Sequence, residues 1–359
     1  MRTDQGYDFA KTQIAVFYVI LLLSTDSLNP VKILLHVFPQ ISPWHVASLS
    51  IAVMIYVFVS EMKQMLYFCV KLFFHSILSI FFRDVSIIGK QNIPVYGPVL
   101  FIGNHANQFI DSVVMLSTCQ RTISFLIAEK SYNRRIIGDI AWAMGGLPVA
   151  RAQDSAITGQ GTIRFHDIIT ELDGVKSQRV IGSGTCFTKE IYQKDKISIT
   201  GLSYQFSVMR VIDDETMDVD VSAVTADAPL PTENVAFVCF KRIDQKKVYE
   251  KVLAKFAAGG AIGVFPEGGS HDRPDLLPLK VGIALMAYSS LEKDGINVPI
   301  IPVGLNYFRG HRFRGRVTVE YGKPIYLDPS TLPDYLAGGE SKRKVCNDLL
   351  QRWVSIELY

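Results

Sequence analysis

Strong net charge and paired cysteines are both missing from this sequence of 359 residues. The net charge of +3 is too small to favour nucleic acid as a partner. The five cysteines are scattered, without a CxxC pair or histidines at zinc-ligand spacing, which argues against a disulfide framework and a zinc site. A Gly-x-Ser-x-Gly elbow is also absent, which argues against an α/β-hydrolase. We therefore expect reduced thiols in a protein that faces the cytosol.

The N-terminal part of the sequence, residues 1–83, is rich in apolar residues and is expected to contact a membrane. Its first apolar run, 14–23, is too short to span a bilayer, and no small-x-small cleavage site follows it. Two longer runs, 46–59 and 65–82, are separated by polar residues at 60–64. We predict membrane-associated helices here, either as a hairpin or as one spanning helix and one interfacial helix. A buried helical pair in a soluble protein is the alternative.

Beyond residue 83 the sequence alternates between short apolar runs and amphipathic runs, as in an α/β fold. The predicted strands are 85–88, 99–102, 123–127, 261–265, 298–303 and 317–321. The predicted helices are 132–144, 245–258, 278–290 and 340–355. Because polar motifs follow several strands, we predict a three-layer α/β core with a mixed sheet, with ligands at the carboxyl ends of the strands.

The predicted core, residues 84–326, contains an insertion at about 152–235. The insertion begins with a polar stretch and continues with period-two alternation, which predicts exposed antiparallel strands. These strands are expected at 196–200, 205–212 and 217–222. No residue of the insertion suggests chemistry. Residues 327–359 are predicted to form a C-terminal helical tail with a polar face.

Catalytic chemistry is suggested by the segment from Asn104 to Asp111, directly after the apolar strand at 99–102. His105 leaves that strand and Asp111 begins the next helix, so the two side chains can meet across one tight turn. The carboxylate would accept a hydrogen bond from one ring nitrogen, and the other nitrogen could then take a proton. We predict a general base without a protein nucleophile beside it. The alternative is a histidine that only satisfies a loop carbonyl.

Three further motifs follow this histidine motif in order. They are Gly146 to Arg151, Phe265-Pro-Glu-Gly268 and Val298 to Pro302. The ordered set resembles the four motifs of the glycerolipid acyltransferase superfamily, the PlsC-like enzymes, over about residues 80–326. It is similar in particular to the fungal-type glycerol-3-phosphate/dihydroxyacetone-phosphate acyltransferases, in which the third motif extends as it does here from Phe265 to Lys280.

Two features depart from the superfamily pattern. Five residues separate His105 from Asp111, whereas the superfamily usually has four. The fungal-type subset looks to share this longer spacing, so we interpret it as a mark of that subgroup. The long membrane-rich C-terminal part of the fungal relatives looks absent, which bears on topology and oligomer contacts more than on chemistry.

The resemblance implies a role in binding the acceptor for several residues. Arg151 would hold the acceptor phosphate, because its planar guanidinium suits a phosphate monoester. Glu267 would bind the acceptor's hydroxyls, and Gly268 would leave room for their approach. Apart from the resemblance, Arg273 and Lys280 follow the turn of the third motif and are hypothesised to meet the acceptor phosphate, the phosphates of CoA or anionic lipid head groups. Solvated charges are the alternative.

Two more features lie near the third and fourth motifs. A basic loop at 309–316 would meet the same phosphates or anionic lipid head groups, and a solvated charged loop is the alternative. His271 is a second candidate base, although a loop histidine is the favoured interpretation.

The resemblance implies an enzyme that transfers a fatty acyl chain from acyl-CoA to the sn-1 hydroxyl of glycerol 3-phosphate. Dihydroxyacetone phosphate would be a second acceptor, and the lipid product would be lysophosphatidate. A thioester already carries a good leaving group, so no covalent intermediate is needed. Neither a metal nor an organic cofactor is implied. We expect the protein at a membrane, that of the endoplasmic reticulum, with the catalytic domain facing the cytosol.

Three other functions remain open at this point. The first is the same chemistry on a lysophospholipid such as lysophosphatidate. The second is a non-catalytic membrane protein that retains the fold. The third is a metal-dependent phosphohydrolase using His105, Asp111 and Glu267, which the ligand-poor spacing disfavours.

Overall fold

The computed structural model describes most of the chain, which divides into two compact units. The described residues are 17, 20–21, 29–151, 154, 156–172, 175–199, 205–222, 230–243, 246–271, 277, 279–308 and 312–354. The first unit comprises the described residues within 1–127, 131–148 and 248–359. The second unit comprises those within 128–130 and 149–247.

Helices and strands are numbered here in chain order. The helices are α1 (Pro30–Val37), α2 (Pro43–Phe81), α3 (Gln108–Thr118), α4 (Glu129–Tyr132), α5 (Arg135–Ala143), α6 (Phe187–Glu190), α7 (Lys246–Ala257), α8 (Gly282–Asp294), α9 (Leu332–Ala337) and α10 (Gly339–Val354). The strands are β1 (Asp84–Ile88), β2 (Val99–Gly103), β3 (Ile123–Ala128), β4 (Leu147–Val149), β5 (Ala156–Thr158), β6 (Thr162–Leu172), β7 (Val175–Ser183), β8 (Lys196–Ile199), β9 (Gln205–Val211), β10 (Thr216–Asp220), β11 (Phe237–Phe240), β12 (Ala261–Val264), β13 (Ile300–Phe308) and β14 (Arg316–Tyr321).

The first unit is built on a seven-stranded sheet in the order β1-β14-β13-β2-β12-β3-β4. Strand β2 lies at its centre and runs parallel to both β12 and β13. Strands β13 and β14 pair antiparallel, so the sheet is mixed, as predicted. The strand predicted at 85–88 is β1, which lies at one edge. All five residues of β2 are buried, because both faces of the sheet are covered.

Helices cover both faces of this sheet, which confirms the predicted three-layer architecture. Along β2, Phe101 faces one apolar cluster, whereas Leu100 and Ile102 face the other. Side chains of α2 and α3 belong to the first cluster, among them Tyr67, Phe74, Val114 and Met115. Side chains of α7, α8 and α10 belong to the second, among them Phe256, Ile283, Leu349 and Trp353. The central strand therefore lies between two helical layers.

The predicted break at residues 60–64 is wrong, because α2 runs without interruption over 39 residues. The sequence from residue 44 to 81 contains neither glycine nor proline. Glutamate, methionine, lysine and glutamine are good helix formers, so a polar interruption of the apolar pattern does not end the helix. Within the described part of the chain, α2 is the one helix long and apolar enough to cross a membrane. The apolar run predicted at 14–23 lies largely outside the described residues.

Within the first unit, the C-terminal half of α2 packs through one face against the sheet and α3. Tyr67, Phe74 and Leu78 on that face are buried in the apolar cluster beneath the sheet. Between them, the ammonium group of Lys71 donates a hydrogen bond to the carbonyl oxygen of Cys119, over 2.6 Å. The opposite face of the same half is exposed although it is apolar. Its exposed side chains are Phe68, Leu72, Phe73, Ile77 and Ile80.

The second unit contains an antiparallel seven-stranded sheet in the order β5-β11-β8-β9-β10-β7-β6. The strands expected at 196–200, 205–212 and 217–222 occur as β8, β9 and β10. They are less exposed than predicted, because alternate side chains enter a core of their own. This core includes Ile163, Phe187, Phe206, Val219 and Phe237.

Several predicted helix ends differ from the observed ones by a few residues. Helix α3 begins at Gln108, with Asn107 as its N-cap residue, so Asp111 lies in its first turn. The helix predicted at 132–144 is α5, which begins at Arg135, and the short helix α4 precedes it. The helix predicted from 278 begins at Gly282. Near the C-terminus, α9 and α10 pack on the second helical layer through Tyr335 and Trp353.

Candidate active site

The carboxyl end of the central strand β2 leads directly into the histidine motif. Asn104 is the first residue after the strand, and its side-chain amide both donates and accepts a hydrogen bond with the neighbouring strand β13. Its side-chain nitrogen donates to the carbonyl oxygen of Leu305 over 3.0 Å, and its side-chain oxygen accepts from the Leu305 amide over 2.7 Å. This pair fixes the point at which the chain leaves the sheet, one residue before His105. Sequence reasoning assigned no role to Asn104.

His105 and Asp111 are in contact, as their motif predicts. Nδ1 of His105 lies 2.9 Å from Oδ2 of Asp111. The same carboxylate oxygen accepts a hydrogen bond from the backbone amide of Asn107 over 2.7 Å, which closes the loop between the two residues. The Asp111 side chain is fully buried, whereas that of His105 is 15% exposed. Because Nδ1 faces the carboxylate, Nε2 is the ring nitrogen that remains able to take a proton.

A tyrosine that sequence reasoning missed completes the surroundings of Asp111. The hydroxyl of Tyr307, on β13, donates to Oδ1 of Asp111 over 2.6 Å. The carboxylate thus accepts hydrogen bonds on both oxygens, which offsets the cost of burying its charge. Burial, and next the adjacent charge of Asp111, raise the pKa of Tyr307 above its ordinary value. The phenol therefore stays protonated at neutral pH and can act as the donor.

The imidazole of His105 stacks on the ring of Phe265, in the third motif. The ring centroids are 4.3 Å apart and the ring planes are inclined by 13°. The ring of Phe125, on β3, in turn stacks on the ring of Phe265, with 6.1 Å between the centroids. Gly103 makes room for this arrangement, because a Cβ atom there would lie 2.9 Å from the Phe265 ring. Stacking and the Asp111 contact together define the plane of the imidazole.

Glu267 joins the third motif to the backbone of the histidine motif. Its side chain is fully buried. One carboxylate oxygen accepts from the His105 amide over 2.8 Å, and the other accepts from the Leu277 amide over 3.0 Å. The ring of His271 also contacts that second oxygen, and the His271 amide donates to the carbonyl oxygen of His105 over 3.1 Å. Contact of Glu267 with acceptor hydroxyls stays a prediction; the observed role is to hold two loops together.

Gly268 and Lys280 lie side by side at the turn of the third motif. Gly268 has a φ of +73°, a conformation that favours glycine. A Cβ atom at this position would lie 2.1 Å from the Nζ atom of Lys280. The backbone amide of Lys280 donates to the carbonyl oxygen of Pro266 over 3.0 Å, so the turn is closed at its base. An exposed ammonium group therefore lies against the Gly268 turn, and its contact with a phosphate stays a prediction.

The two remaining predicted phosphate ligands are arginines. Arg151 belongs to the second unit, where its guanidinium forms two hydrogen bonds with the carboxylate of Asp154, over 3.0 and 3.2 Å. Arg273 lies outside the described residues. Of the basic loop, Arg312, Arg314 and Arg316 are described and exposed. Phosphate binding by any of these side chains stays a prediction.

Comparison with known proteins identifies the family. A family model described as Acyltransferase matches residues 84–168 and 231–306. The unmatched interval between these two segments lies within the second unit. The crystal structure of the 1-acyl-sn-glycerophosphate acyltransferase PlsC from Thermotoga maritima aligns over 98% of both chains, at 12% identity. Its TM-score of 0.39 is too low to support a conclusion.

Curated relatives are found among yeast proteins. Glycerol-3-phosphate O-acyltransferase 1 of Saccharomyces cerevisiae is 34% identical in an alignment 300 residues long, and the alignment covers 81% of this chain and 38% of that protein. Glycerol-3-phosphate O-acyltransferase 2 of the same yeast is 32% identical, over 76% of this chain and 39% of that protein. An uncharacterized acyltransferase of Schizosaccharomyces pombe is 34% identical, over 73% of this chain and 39% of that protein. The matched region is thus less than half the length of each relative. With its motifs in order and its histidine held against a buried aspartate, the chain contains a domain of the acyltransferase family.

Proposed function

We propose that this protein transfers a fatty acyl chain from acyl-CoA to the sn-1 hydroxyl of glycerol 3-phosphate, with dihydroxyacetone phosphate as a second acceptor. The product is lysophosphatidate when the acceptor is glycerol 3-phosphate. The observation that carries the proposal is the contact between Nδ1 of His105 and the buried carboxylate of Asp111. The names of the two Saccharomyces cerevisiae relatives support this choice of acceptor.

The geometry suits direct transfer without a covalent enzyme intermediate. Asp111 keeps the proton of the imidazole on Nδ1, so Nε2 takes the proton of the acceptor hydroxyl as its oxygen attacks the thioester carbonyl. The carbon–oxygen bond forms, and the carbon–sulfur bond then breaks as the tetrahedral intermediate collapses. The CoA thiolate leaves and takes a proton from the imidazolium, which restores the neutral base. A thioester needs no stronger nucleophile than the activated hydroxyl.

An assay that separates acceptors tests this proposal. Purified protein in detergent micelles is given labelled acyl-CoA with glycerol 3-phosphate, dihydroxyacetone phosphate or lysophosphatidate. We expect label in lysophosphatidate when glycerol 3-phosphate is supplied, and about a hundredfold less or lower still when the His105→Ala variant is used. Label that enters only a product of added lysophosphatidate would assign the protein to the other branch of the family chemistry.

Membrane attachment forms the second part of the proposal, and α2 carries it. The helix is about 58 Å long at about 1.5 Å per residue, nearly twice the hydrocarbon thickness of about 30 Å. Its C-terminal half packs on the first unit, so the N-terminal half is the part available to enter a bilayer. This half exposes Trp44, Leu49, Ile51, Val53, Ile55, Tyr56, Phe58 and Val59. Exposed apolar surface on this scale is characteristic of membrane contact.

A basic cluster lies at the C-terminal end of α2, about 28 Å along the helix from the half that is proposed to enter the bilayer. The amide of Arg314 donates to the carbonyl oxygen of Phe81 over 2.7 Å, which ties the β13–β14 loop to the helix. Phe313 in this loop packs against Phe81 and is 66% exposed. The exposed Arg312 and Arg316 flank it. We also propose that the membrane is that of the endoplasmic reticulum and that the catalytic domain faces the cytosol.

Charges placed on the N-terminal half of α2 should release the protein from membranes. Ile51 and Ile55 are both exposed and lie one helical turn apart. Lysine at the centre of a bilayer costs about 3 kcal/mol per residue, so Ile51→Lys with Ile55→Lys should shift the protein from the vesicle fraction to the soluble fraction in a flotation assay.

The matched control places two lysines at exposed apolar positions outside α2. The substitutions Ile157→Lys and Leu336→Lys add the same charge to residues of similar exposure. This control should float with the vesicles. If the α2 variant floats equally well, the helix is not the membrane anchor.

A further inference from the structure

The hydroxyl of Tyr307 bonds to Oδ1 of Asp111, the carboxylate oxygen that does not contact His105. Its hydroxyl donates to Oδ1 over 2.6 Å, whereas Oδ2 receives the His105 ring nitrogen and the Asn107 amide. Tyr307 lies five residues beyond Pro302, outside the four motifs. It is 196 residues from Asp111 in sequence, so β13 brings it to the first turn of α3.

We propose that Tyr307 is a positioning residue for acyl transfer and acts on His105 through Asp111. The inference rests on the function proposed above, because it requires His105 to be the base. The hydroxyl restrains rotation of the carboxylate and so keeps Oδ2 directed at Nδ1. It also takes up part of the negative charge of the carboxylate, which would otherwise be directed mainly at the imidazole.

The packing around Tyr307 keeps its hydroxyl in place. Its ring lies against Phe82, the C-cap residue directly after α2, with 6.1 Å between the centroids. Its strand is hydrogen-bonded to both β2 and β14. The pKa of Tyr307 is raised by burial and by Asp111, so the phenol remains a donor throughout the neutral range. A hydrogen bond of a neutral donor to a carboxylate is among the stronger kinds in proteins.

Tyr321 provides a matched control within the same fold. It lies on β14, its hydroxyl is 2.8 Å from Oγ1 of Thr118, and its side chain is buried. Thr118 ends the helix in which Asp111 occupies the first turn. Tyr307→Phe and Tyr321→Phe therefore each remove one tyrosine hydroxyl that bonds to α3. Only the first removes a bond to the carboxylate of Asp111.

The test compares kcat, KM and the pH–rate profile of the two variants in detergent micelles. We expect Tyr307→Phe to lower kcat about ten- to a hundredfold, the range expected for a hydrogen bond to a charged group, with KM for both substrates within twofold of the parent. Tyr321→Phe should change kcat less than threefold. Thermal unfolding of both variants checks that each is folded at the assay temperature.

The pH–rate profile separates positioning from a merely structural role. The titratable groups around His105 are Asp111 on α3, Tyr307 on β13, and Glu267 and His271 in the loop after β12. The base must be neutral to accept a proton, so the rate rises with pH on the acid side. Loss of the Tyr307 hydroxyl leaves more negative charge facing the imidazole and favours the imidazolium. The acid limb of Tyr307→Phe should therefore move to higher pH, and that of Tyr321→Phe should not move.

Three outcomes would overturn the inference. The first is an acid limb for Tyr307→Phe that stays in place or moves to lower pH. The second is a raised KM with unchanged kcat, which would mean that Tyr307 contacts a substrate. The third is a further loss of more than threefold when Tyr307→Phe is added to Asp111→Ala, because a residue acting through the Asp111 side chain has no effect once that side chain is gone. If His105→Ala keeps full activity, the proposed function itself fails, which is a separate result.

Discussion

Replacing His105 by alanine is expected to lower the rate of acyl transfer by about a hundred- to ten-thousandfold, the usual contribution of a general base. Alanine removes the only group in the motif that is placed to take the proton of the attacking hydroxyl. The Asp111 carboxylate would still accept bonds from Asn107 and Tyr307, so the loop should keep its shape. The measurement is kcat with glycerol 3-phosphate and labelled acyl-CoA, together with the midpoint of thermal unfolding.

The control for this substitution is His75→Ala. His75 is an exposed histidine in the C-terminal half of α2 and lies outside the face that packs on the sheet. Its removal should leave kcat within twofold of the parent. If His105→Ala also stays within twofold, His105 is not the base, and the proposed mechanism is wrong.

Asp111→Asn is expected to cost about a hundredfold or more in kcat while changing KM little. The carboxylate accepts hydrogen bonds on both oxygens, from His105 and Asn107 on one and from Tyr307 on the other. An amide has a single acceptor oxygen, so its nitrogen must take the place of one of these acceptors. It also carries no charge to stabilise the imidazolium that forms during transfer. Substrate binding does not depend on either property.

Kinetics of Asp111→Asn separate orientation of the base from substrate binding. The control is Asp294→Asn, at the exposed C-terminal end of α8. It also removes one carboxylate charge, but from a residue outside the motifs, and should leave kcat and KM unchanged. If Asp111→Asn instead raises KM for glycerol 3-phosphate and keeps kcat, the carboxylate binds the acceptor. That result would contradict the proposed role and would transfer the task of orienting His105 to Phe265 and Glu267.

The strands of the core were predictable because each is a short apolar run bounded by polar or turn residues. A strand such as β2, buried on both faces, leaves a continuous apolar signal in the sequence. Helix α2 was not predictable as one helix. A polar interval inside an apolar stretch indicates a turn in many proteins, but here the polar residues are helix formers and the helix continues.

The contact between His105 and Asp111 was predictable from local sequence, because both residues lie on one short loop between a strand and a helix. The other contacts of the site depend on tertiary structure. Tyr307, Asn104 and Phe265 take their places through the register of β13 beside β2 and through the order of the strands. Such contacts join residues up to about two hundred positions apart, as between Asp111 and Tyr307. Local pattern carries no information on them, since packing of whole layers selects which strands become neighbours.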